Sequence, residues 1–216
     1  MTTSHHDVVS HLWHELYSEN PSLTSARASI EEAYARLESA LRDGRQVLVC
    51  GNGGSASDAE HIAGELAKPC AIPRPLDDVE KQSLLHAGDD GYLGDALARG
   101  LPVWPLVSQS ALLTAIANDQ GGDLIFAQQV MAYGRPGDVL WALSTSGNSR
   151  NVVHALRTAK ARGLVSIALT GPGRGSVTDL ADVVIAVPGA DTPHIQHNHQ
   201  IVYHSLCLAI EAAFFG

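Results

Sequence analysis

The sequence predicts an α/β protein in which a five-stranded parallel sheet is flanked by helices. Five short apolar runs alternate with segments whose apolar residues recur at helical spacing. The runs are apolar at consecutive positions, which is typical of parallel strands covered on both faces. The chain has 216 residues, 45% of them hydrophobic, which is enough for one sizeable core. We expect one unit, with N-terminal helices in residues 1–45 and the sheet in residues 46–216.

Two helices are predicted before the first strand. Residues 7–19 form an amphipathic pattern that Pro21 ends, and residues 24–43 form a second helix before Gly44. The apolar side of the first helix consists of Val8, Val9, Leu12, Trp13 and Leu16. A monomer would leave this amphipathic surface exposed, so we expect these helices to take part in oligomerisation.

The remaining elements alternate. The predicted strands are residues 46–50, 103–107, 138–143, 165–170 and 183–187. The predicted helices follow the first strand to about residue 68 and then cover residues 109–117, 122–132, 151–161, 176–181 and 194–214. Residues 69–100 interrupt this order, because they hold three prolines, several glycines and a charged run at 77–82. They predict an extended loop with a short helix near residues 78–86.

Composition excludes several classes of function. The chain has 14 Lys and Arg against 23 Asp and Glu, a net charge of −9, which argues against nucleic acid or an anionic membrane surface as a partner. Cys50, Cys70 and Cys207 show no metal or disulfide spacing, which favours a reducing compartment. No signal peptide or membrane span is apparent. We therefore expect a cytoplasmic protein.

A hydroxyl-rich turn follows the third strand and opens a helix. Its hydroxyl donors are Ser144, Thr145, Ser146 and Ser149. Free backbone N–H groups and the positive end of a helix dipole favour a phosphate at such a turn. The turn contains no lysine, so it is not a Walker-type loop. A second glycine turn, residues 51–55, follows the first strand, and ligands of parallel sheets bind at these strand ends.

Two helices carry candidate metal ligands. His61 and Glu65 are four residues apart and share one helical face, but a solvated pair is the commoner explanation for that spacing alone. The last helix is unusually polar for an internal helix and carries Gln196 and His204, which are ~12 Å apart along its axis. We expect His197 and His199 on the same helix to face solvent or a neighbouring subunit.

These motifs together resemble the sugar isomerase (SIS) domain proteins, and most closely the phosphoheptose isomerases. The resemblance runs from about residue 30 to the C-terminus. The motifs that carry it are Gly-Asn-Gly-Gly-Ser at 51–55, the set Asp58, His61, Glu65 and Leu66, the run Ala117-Asn118-Asp119, the turn 144–149, and Ile195-Gln196 with His204. Each is weak alone, and the set is specific.

The resemblance implies a function and a site. It implies a homotetramer with active sites shared between subunits, acting on phosphorylated heptoses by interconverting sedoheptulose 7-phosphate and D-glycero-D-manno-heptose 7-phosphate. It implies a zinc ion held by His61, Glu65, Gln196 and His204, and a phosphate held by Ser144, Thr145, Ser146 and Ser149. It also implies substrate contacts from Asn52, Gly53, Ser55, Asn118, Asp119 and Gln196. Glu65 and His204 fit the base and acid of an enediol proton transfer, in either direction.

Departures from the family pattern leave alternatives. Residues 69–100 are longer than the usual loop, and an arginine usually placed after the glutamate is absent, with Lys68 or Arg74 as substitutes. One alternative is a non-catalytic SIS regulator of the type associated with a replication initiator, which would not need the metal ligands. The other is a different SIS enzyme, either an isomerase of another phosphosugar or a lyase of the muramate phosphate class. The retained ligand set favours catalysis.

Overall fold

The computed structural model describes residues 5–216. Its strands are β1 (Val47–Cys50), β2 (Val103–Pro105), β3 (Val139–Ser144), β4 (Val165–Thr170) and β5 (Val183–Ala186). Its α-helices are α1 (His5–Glu19), α2 (Arg27–Arg42), α3 (Gly54–Ala67), α4 (Asp78–His86), α5 (Tyr92–Ala96), α6 (Ser110–Asp119), α7 (Ile125–Tyr133), α8 (Arg150–Arg162) and α9 (Thr192–Phe215). Two 3₁₀ helices, Pro21–Ala26 and Gly175–Asp179, complete the order.

The strands of the described chain form one parallel sheet in the order β2-β1-β3-β4-β5. Every residue of β1 and β3 is buried. One face of the sheet packs against α1, α2, α3 and α9, and the other packs against α7 and α8. The predicted fold class is thereby confirmed. The chain passes from β1 to β2 on one side and then returns as β3 on the other side of β1. The sheet therefore has its switch point between β1 and β3, where a ligand crevice is expected.

The N-terminal helices cover one edge of this core. Val9, Trp13 and Leu16 of α1 are buried in the cluster that also contains α9. The apolar side of α1 is therefore largely covered by its own chain. The second predicted helix begins later than expected, because residues 21–26 form a 3₁₀ helix after Pro21 and α2 starts only at Arg27.

The excursion at 69–100 is ordered. The predicted helix at 78–86 is confirmed as α4, whose start is stabilised by a capping box between Asp77 and Glu80. The short helix α5, which the sequence analysis missed, packs against α4, and a bridge between Pro75 and Ala98 closes the excursion. No residue of α4 is buried. The excursion is therefore an addition to the sheet domain rather than part of its core.

Residues 5–216 contain no helix suited to crossing a membrane and no disulfide bond. None of their helices combines the length and the apolar character that a membrane crossing requires. Their three cysteines are free thiols, of which Cys50 and Cys207 are buried and Cys70 is exposed.

Candidate metal and substrate site

The first two candidate ligands lie on α3, directly behind the switch point. The chain leaves β1 through Gly53, whose positive φ of 57° favours glycine, and α3 begins one residue later. His61 and Glu65 share one face of α3, with 3.1 Å between Nε2 and Oε1. The His61 side chain is 47% exposed and that of Glu65 only 15%. The pair predicted from spacing therefore lies at the surface, open to a ligand.

The third ligand comes from α9, which packs beside α3. His204 approaches so closely that one ligand atom from each of His61, Glu65 and His204 lies within 4.8 Å of the others. The two imidazole rings meet edge to face, with their centroids 4.8 Å apart. We call these three residues the triad.

Hydrogen bonds assign the tautomer of His204. Its Nδ1 lies 2.8 Å from the carbonyl oxygen of Gln200, which can only accept, so Nδ1 carries a proton. The neutral ring then has its lone pair on Nε2, the arrangement in which histidine binds a metal. His61 lies between two partners, with Nδ1 3.1 Å from the Tyr203 hydroxyl and Nε2 3.1 Å from Glu65 Oε1.

The contact between His61 and Glu65 suits either a proton or a metal ion. A proton on Nε2 makes it a hydrogen bond of 3.1 Å to the carboxylate, whereas a metal would take the lone pairs of both atoms. Two imidazole nitrogens and one carboxylate oxygen suit zinc among several divalent ions, so the residues present fit the implied metal.

Neighbouring groups keep Glu65 ionised. A side-chain hydrogen bond from Cys70 lowers the pKa of Glu65 most, and Lys68 and His61 lower it further against the opposing effect of burial. Burial instead raises the pKa of Asp58, against the hydrogen bonds from Gln200 and Tyr203. Glu65 is thus a charged ligand or base at neutral pH.

Gln196, the fourth predicted ligand, lies away from the triad. It belongs to the second turn of α9. Its amide packs against Gly54 so closely that a Cβ on that glycine would collide with it. Gly54 precedes His61 by ~10 Å of helix, so Gln196 lies near the mouth of the crevice. Its role as a ligand stays a prediction.

The expectation for His199 was wrong, whereas His197 is exposed as expected. His199 is fully buried, because it lies on the face of α9 that carries Val202, Tyr203 and Leu206 into the core. Within the described chain neither ring nitrogen makes a hydrogen bond of good geometry. Burial lowers the pKa of His199 to about 4, with the backbone of Thr170 opposing the shift.

The hydroxyl-rich turn lies at the carboxyl end of β3, as predicted. Ser144 is buried, and its Oγ lies 3.1 Å from the Oγ of Ser149, the residue at the N-cap of α8. Ser146 is exposed, and its Oγ accepts from the backbone N–H of Asn148 at 3.2 Å, so its hydroxyl proton is free to donate. Thr145 lies between them and is half-buried. The turn therefore offers oriented donors at a helix start.

The two ligand turns face each other across the switch point. Asn52 and Asn151 exchange two amide hydrogen bonds of 2.8 Å, which join residues 51–55 to the first turn of α8. Gly53 is exposed at this junction, and Ser55 is buried beneath it. The structure therefore brings Asn52, Gly53 and Ser55 to the same edge as the hydroxyl turn.

Asn118 and Asp119 are placed elsewhere. They lie at the exposed carboxyl end of α6, where the Asn118 amide donates to Asp119 at 2.7 Å. Within residues 5–216 no hydrogen bond or ion pair joins them to the other predicted site residues. Their contact with the substrate stays a prediction.

Lys68 and Arg74, the two possible substitutes for the absent family arginine, differ in their exposure. Arg74 is fully buried in an ion pair with Glu211 and cannot reach a substrate. Lys68 is exposed just beyond the end of α3, where its amine donates to the carbonyl of Pro69 at 3.3 Å. Of the two, only Lys68 is open to an anion.

Comparison with known proteins identifies the family of this chain. A family model described as the SIS domain matches residues 19–88 and 98–171. The phosphoheptose isomerase of Rhodospirillum rubrum is 42% identical over 185 residues, covering 86% of each chain. The solved phosphoheptose isomerase of Neisseria gonorrhoeae superposes with a TM-score of 0.72 at 32% identity, covering 94% of this chain and 96% of that one.

A more distant likeness concerns the fold alone. The sugar isomerase domain of an RpiR transcription factor from Sphaerobacter thermophilus has a TM-score of 0.52 at 19% identity, covering 92% of this chain and 89% of that one. By contrast, the similarity to the isomerases extends over most of both sequences. The chain therefore belongs to the SIS domain family and, within it, to the phosphoheptose isomerases.

Proposed function

We propose that this protein is a cytoplasmic aldose–ketose isomerase of heptose biosynthesis, interconverting sedoheptulose 7-phosphate and D-glycero-D-manno-heptose 7-phosphate. The observation that carries the proposal is the triad in a member of this family. A regulator would need the fold but not two histidines grouped with an ionised glutamate. The substrate follows from the relatives that are phosphoheptose isomerases.

The residues of the triad match the proton transfers that this reaction requires. Moving a carbonyl between C1 and C2 takes a proton from one carbon and returns it to the next, through an enediol. Glu65, held ionised, accepts and returns the carbon-bound proton. His204, when protonated at Nε2, hydrogen-bonds the carbonyl oxygen and donates to it. The same ring then takes the proton of the neighbouring hydroxyl, and by microscopic reversibility Glu65 and His204 keep these roles in the reverse direction.

The same residues would hold the metal. We assign zinc to His61, Glu65 and His204, with Gln196 as the predicted fourth ligand. When bound, zinc polarises the carbonyl and stabilises the negative charge of the enediolate. A residue that ligates the metal cannot freely carry a proton, so either Glu65 or His204 leaves the metal during turnover or only one of them transfers protons.

The far end of the substrate binds at the switch point. Ser144, Thr145, Ser146 and Ser149 bind the phosphate, so that binding energy remote from the reacting carbons positions them. Asn52, Gly53 and Ser55 line the sugar channel from the same chain. We assign Asn118 and Asp119 to the same channel, in a homotetramer to whose assembly residues 1–45 contribute.

One assay tests this proposal. The purified protein is incubated with sedoheptulose 7-phosphate, before and after removal of metal by a chelator and after addition of zinc. We expect formation of the aldose, its loss on chelation and its recovery with zinc. No turnover under any condition would favour the regulator, and turnover that resists complete metal removal would contradict the zinc assignment.

A further inference from the structure

A buried ion pair lies behind the triad. Arg74 and Glu211 are 137 residues apart, and their side chains are wholly inaccessible, with 2.8 Å between Nη2 and Oε1. The guanidinium also stacks over the ring of Phe215. Burying two charges costs desolvation energy that a packed apolar pair would not, so net stability alone does not explain such a pair. Its hydrogen bonds indicate what else it does.

Arg74 holds the carboxyl end of α3. Its Nη1 donates to the carbonyl of Leu66 at 2.8 Å, and its Nη2 donates to the carbonyl of Glu65 at 3.0 Å. These carbonyls belong to the last turn of the helix, where no intrahelical donor is available. The positive charge also suits the negative end of the helix dipole. The backbone of Glu65 is therefore fixed directly by Arg74.

Glu211 joins the same point to α9. It lies seven residues after His204, about two helical turns along α9. Its carboxylate accepts from the backbone N–H groups of Cys70 and Ala71, each at 2.8 Å. This fixes the segment that leaves α3 and carries Cys70, the residue whose side chain lowers the pKa of Glu65 most. One carboxylate on α9 thus organises the backbone and the side-chain environment of Glu65.

We propose that Arg74 and Glu211 position the triad by fixing α3 and α9 at the separation that brings Glu65 to His204. We call the pair, with the backbone of residues 70–71, the strut. The inference rests on the proposed metal site, because it concerns how tightly that site holds its ion. A purely structural strut would affect only the stability of the fold, whereas a positioning strut also sets metal affinity in the folded protein.

The main test replaces Arg74 by lysine. Arg74→Lys keeps the positive charge but loses the planar fork that reaches two carbonyls and the carboxylate at once. Arg36→Lys is the matched control, because Arg36 forms an exposed pair with Glu32 on α2. Zinc affinity is measured by competition with a chromogenic chelator, well below the unfolding temperature of each variant, and kcat and KM are measured separately.

We expect Arg74→Lys to bind zinc ~10-fold more weakly or worse, the range found when partners of metal ligands are changed. Its kcat should fall while KM for the phosphosugar stays unchanged, since the phosphate turn is remote from the strut. Arg36→Lys should match the wild type. A lowered unfolding temperature with wild-type zinc affinity and kcat would overturn the inference.

Glu211→Gln decides the question if Arg74→Lys does not fold. It keeps the size and one oxygen acceptor of the side chain but loses the charge that pairs with Arg74, so zinc binding should again weaken. Wild-type zinc affinity in folded Glu211→Gln would overturn the inference. If the wild-type protein binds no zinc, the proposed metal site itself fails. If the wild type binds zinc and all variants bind it equally, only the strut fails.

Discussion

The histidines of this chain differ in what surrounds them. One ligand atom from each of His61, His204 and Glu65 lies within 4.8 Å of the others. His194 instead pairs with Asp191 at the exposed start of α9. His197 is exposed about two turns before His204. Residue type alone therefore does not identify a ligand, whereas grouping with other ligand atoms does.

His61→Ala should remove metal and turnover together. The substitution deletes one of the three ligands that the structure groups, and at least a 10-fold loss of metal affinity is expected, roughly 1.4 kcal/mol. Metal content by elemental analysis and the initial rate are measured on the same sample. His197→Ala is the control and should change neither. Stoichiometric zinc and near-native turnover in His61→Ala would show that the triad is not the metal site.

Ser146→Ala should weaken substrate binding through the phosphate. The Ser146 hydroxyl is exposed with its proton free, and a hydrogen bond to a charged acceptor contributes roughly 1.5–3 kcal/mol. The apparent KM should therefore rise by about ten-fold or more, with a smaller change in kcat. Ser83→Ala on α4 is the control, because its hydroxyl donates only to the carbonyl of Val79. An unchanged KM for the phosphorylated sugar would exclude Ser146 as an anchor.

At the scale of elements, the apolar runs predicted the strands to within two residues. Runs buried on both faces leave few alternatives, and only β2 is clearly shorter than predicted, ending at Pro105. Short or irregular helices were harder to predict from the sequence. The segment after Pro21 folds as a 3₁₀ helix, and the five residues of α5 carry no period long enough to detect.

The candidate site, too, could be predicted from the sequence only in part. His61 and Glu65 could be paired from their spacing, because both lie on one helix. The proximity of His204 to this pair depends on how α9 packs against α3. The ion pair between Arg74 and Glu211 depends on the same packing. His199 was misjudged because polar neighbours on both sides conceal the buried face of α9. Local pattern therefore predicts a pair within an element, while contacts between elements need the fold.

Burial of His199 should make the packing of α9 sensitive to pH. Its pKa is lowered to about 4 from an ordinary 6.5, so the unfolded chain takes up a proton first as the pH falls. The free energy of unfolding is highest, as far as His199 is concerned, above pH 6.5, and it falls as the pH is lowered towards 4. At pH 5 the loss should be roughly 2 kcal/mol.

Urea unfolding at pH 7.5 and pH 5, with chelator present, measures this loss. His199→Asn should be less stable at pH 7.5 but should lose less between the two pH values than the wild type. The comparison cancels the other groups that titrate in the same range. An equal loss in both proteins would mean that His199 does not carry the pH dependence.

At the scale of the whole molecule, an open groove lies between α1 and α9 beside the triad. His204 forms part of its lining, together with apolar side chains that include Leu12, Leu16 and Ile201. A partly apolar groove that contains a triad residue suits a site completed by a neighbouring copy of the chain.

We therefore predict a homotetramer, or at least a dimer, whose activity depends on assembly. Light scattering at micromolar concentration should give a mass above that of one 22.8 kDa chain. Specific activity should fall on dilution through the dissociation range, because the subunits complete each other's sites. A fully active monomer would refute a site shared between subunits.

The central claim is that Glu65 moves a proton between C1 and C2 of the sugar, and isomerisation in D₂O tests it most directly. Nuclear magnetic resonance follows deuterium at C1 of the ketose and C2 of the aldose as product forms. The account predicts deuterium at both carbons with the wild-type protein, and neither exchange nor turnover with a folded Glu65→Gln variant. Undiminished turnover or undiminished exchange in folded Glu65→Gln would contradict it.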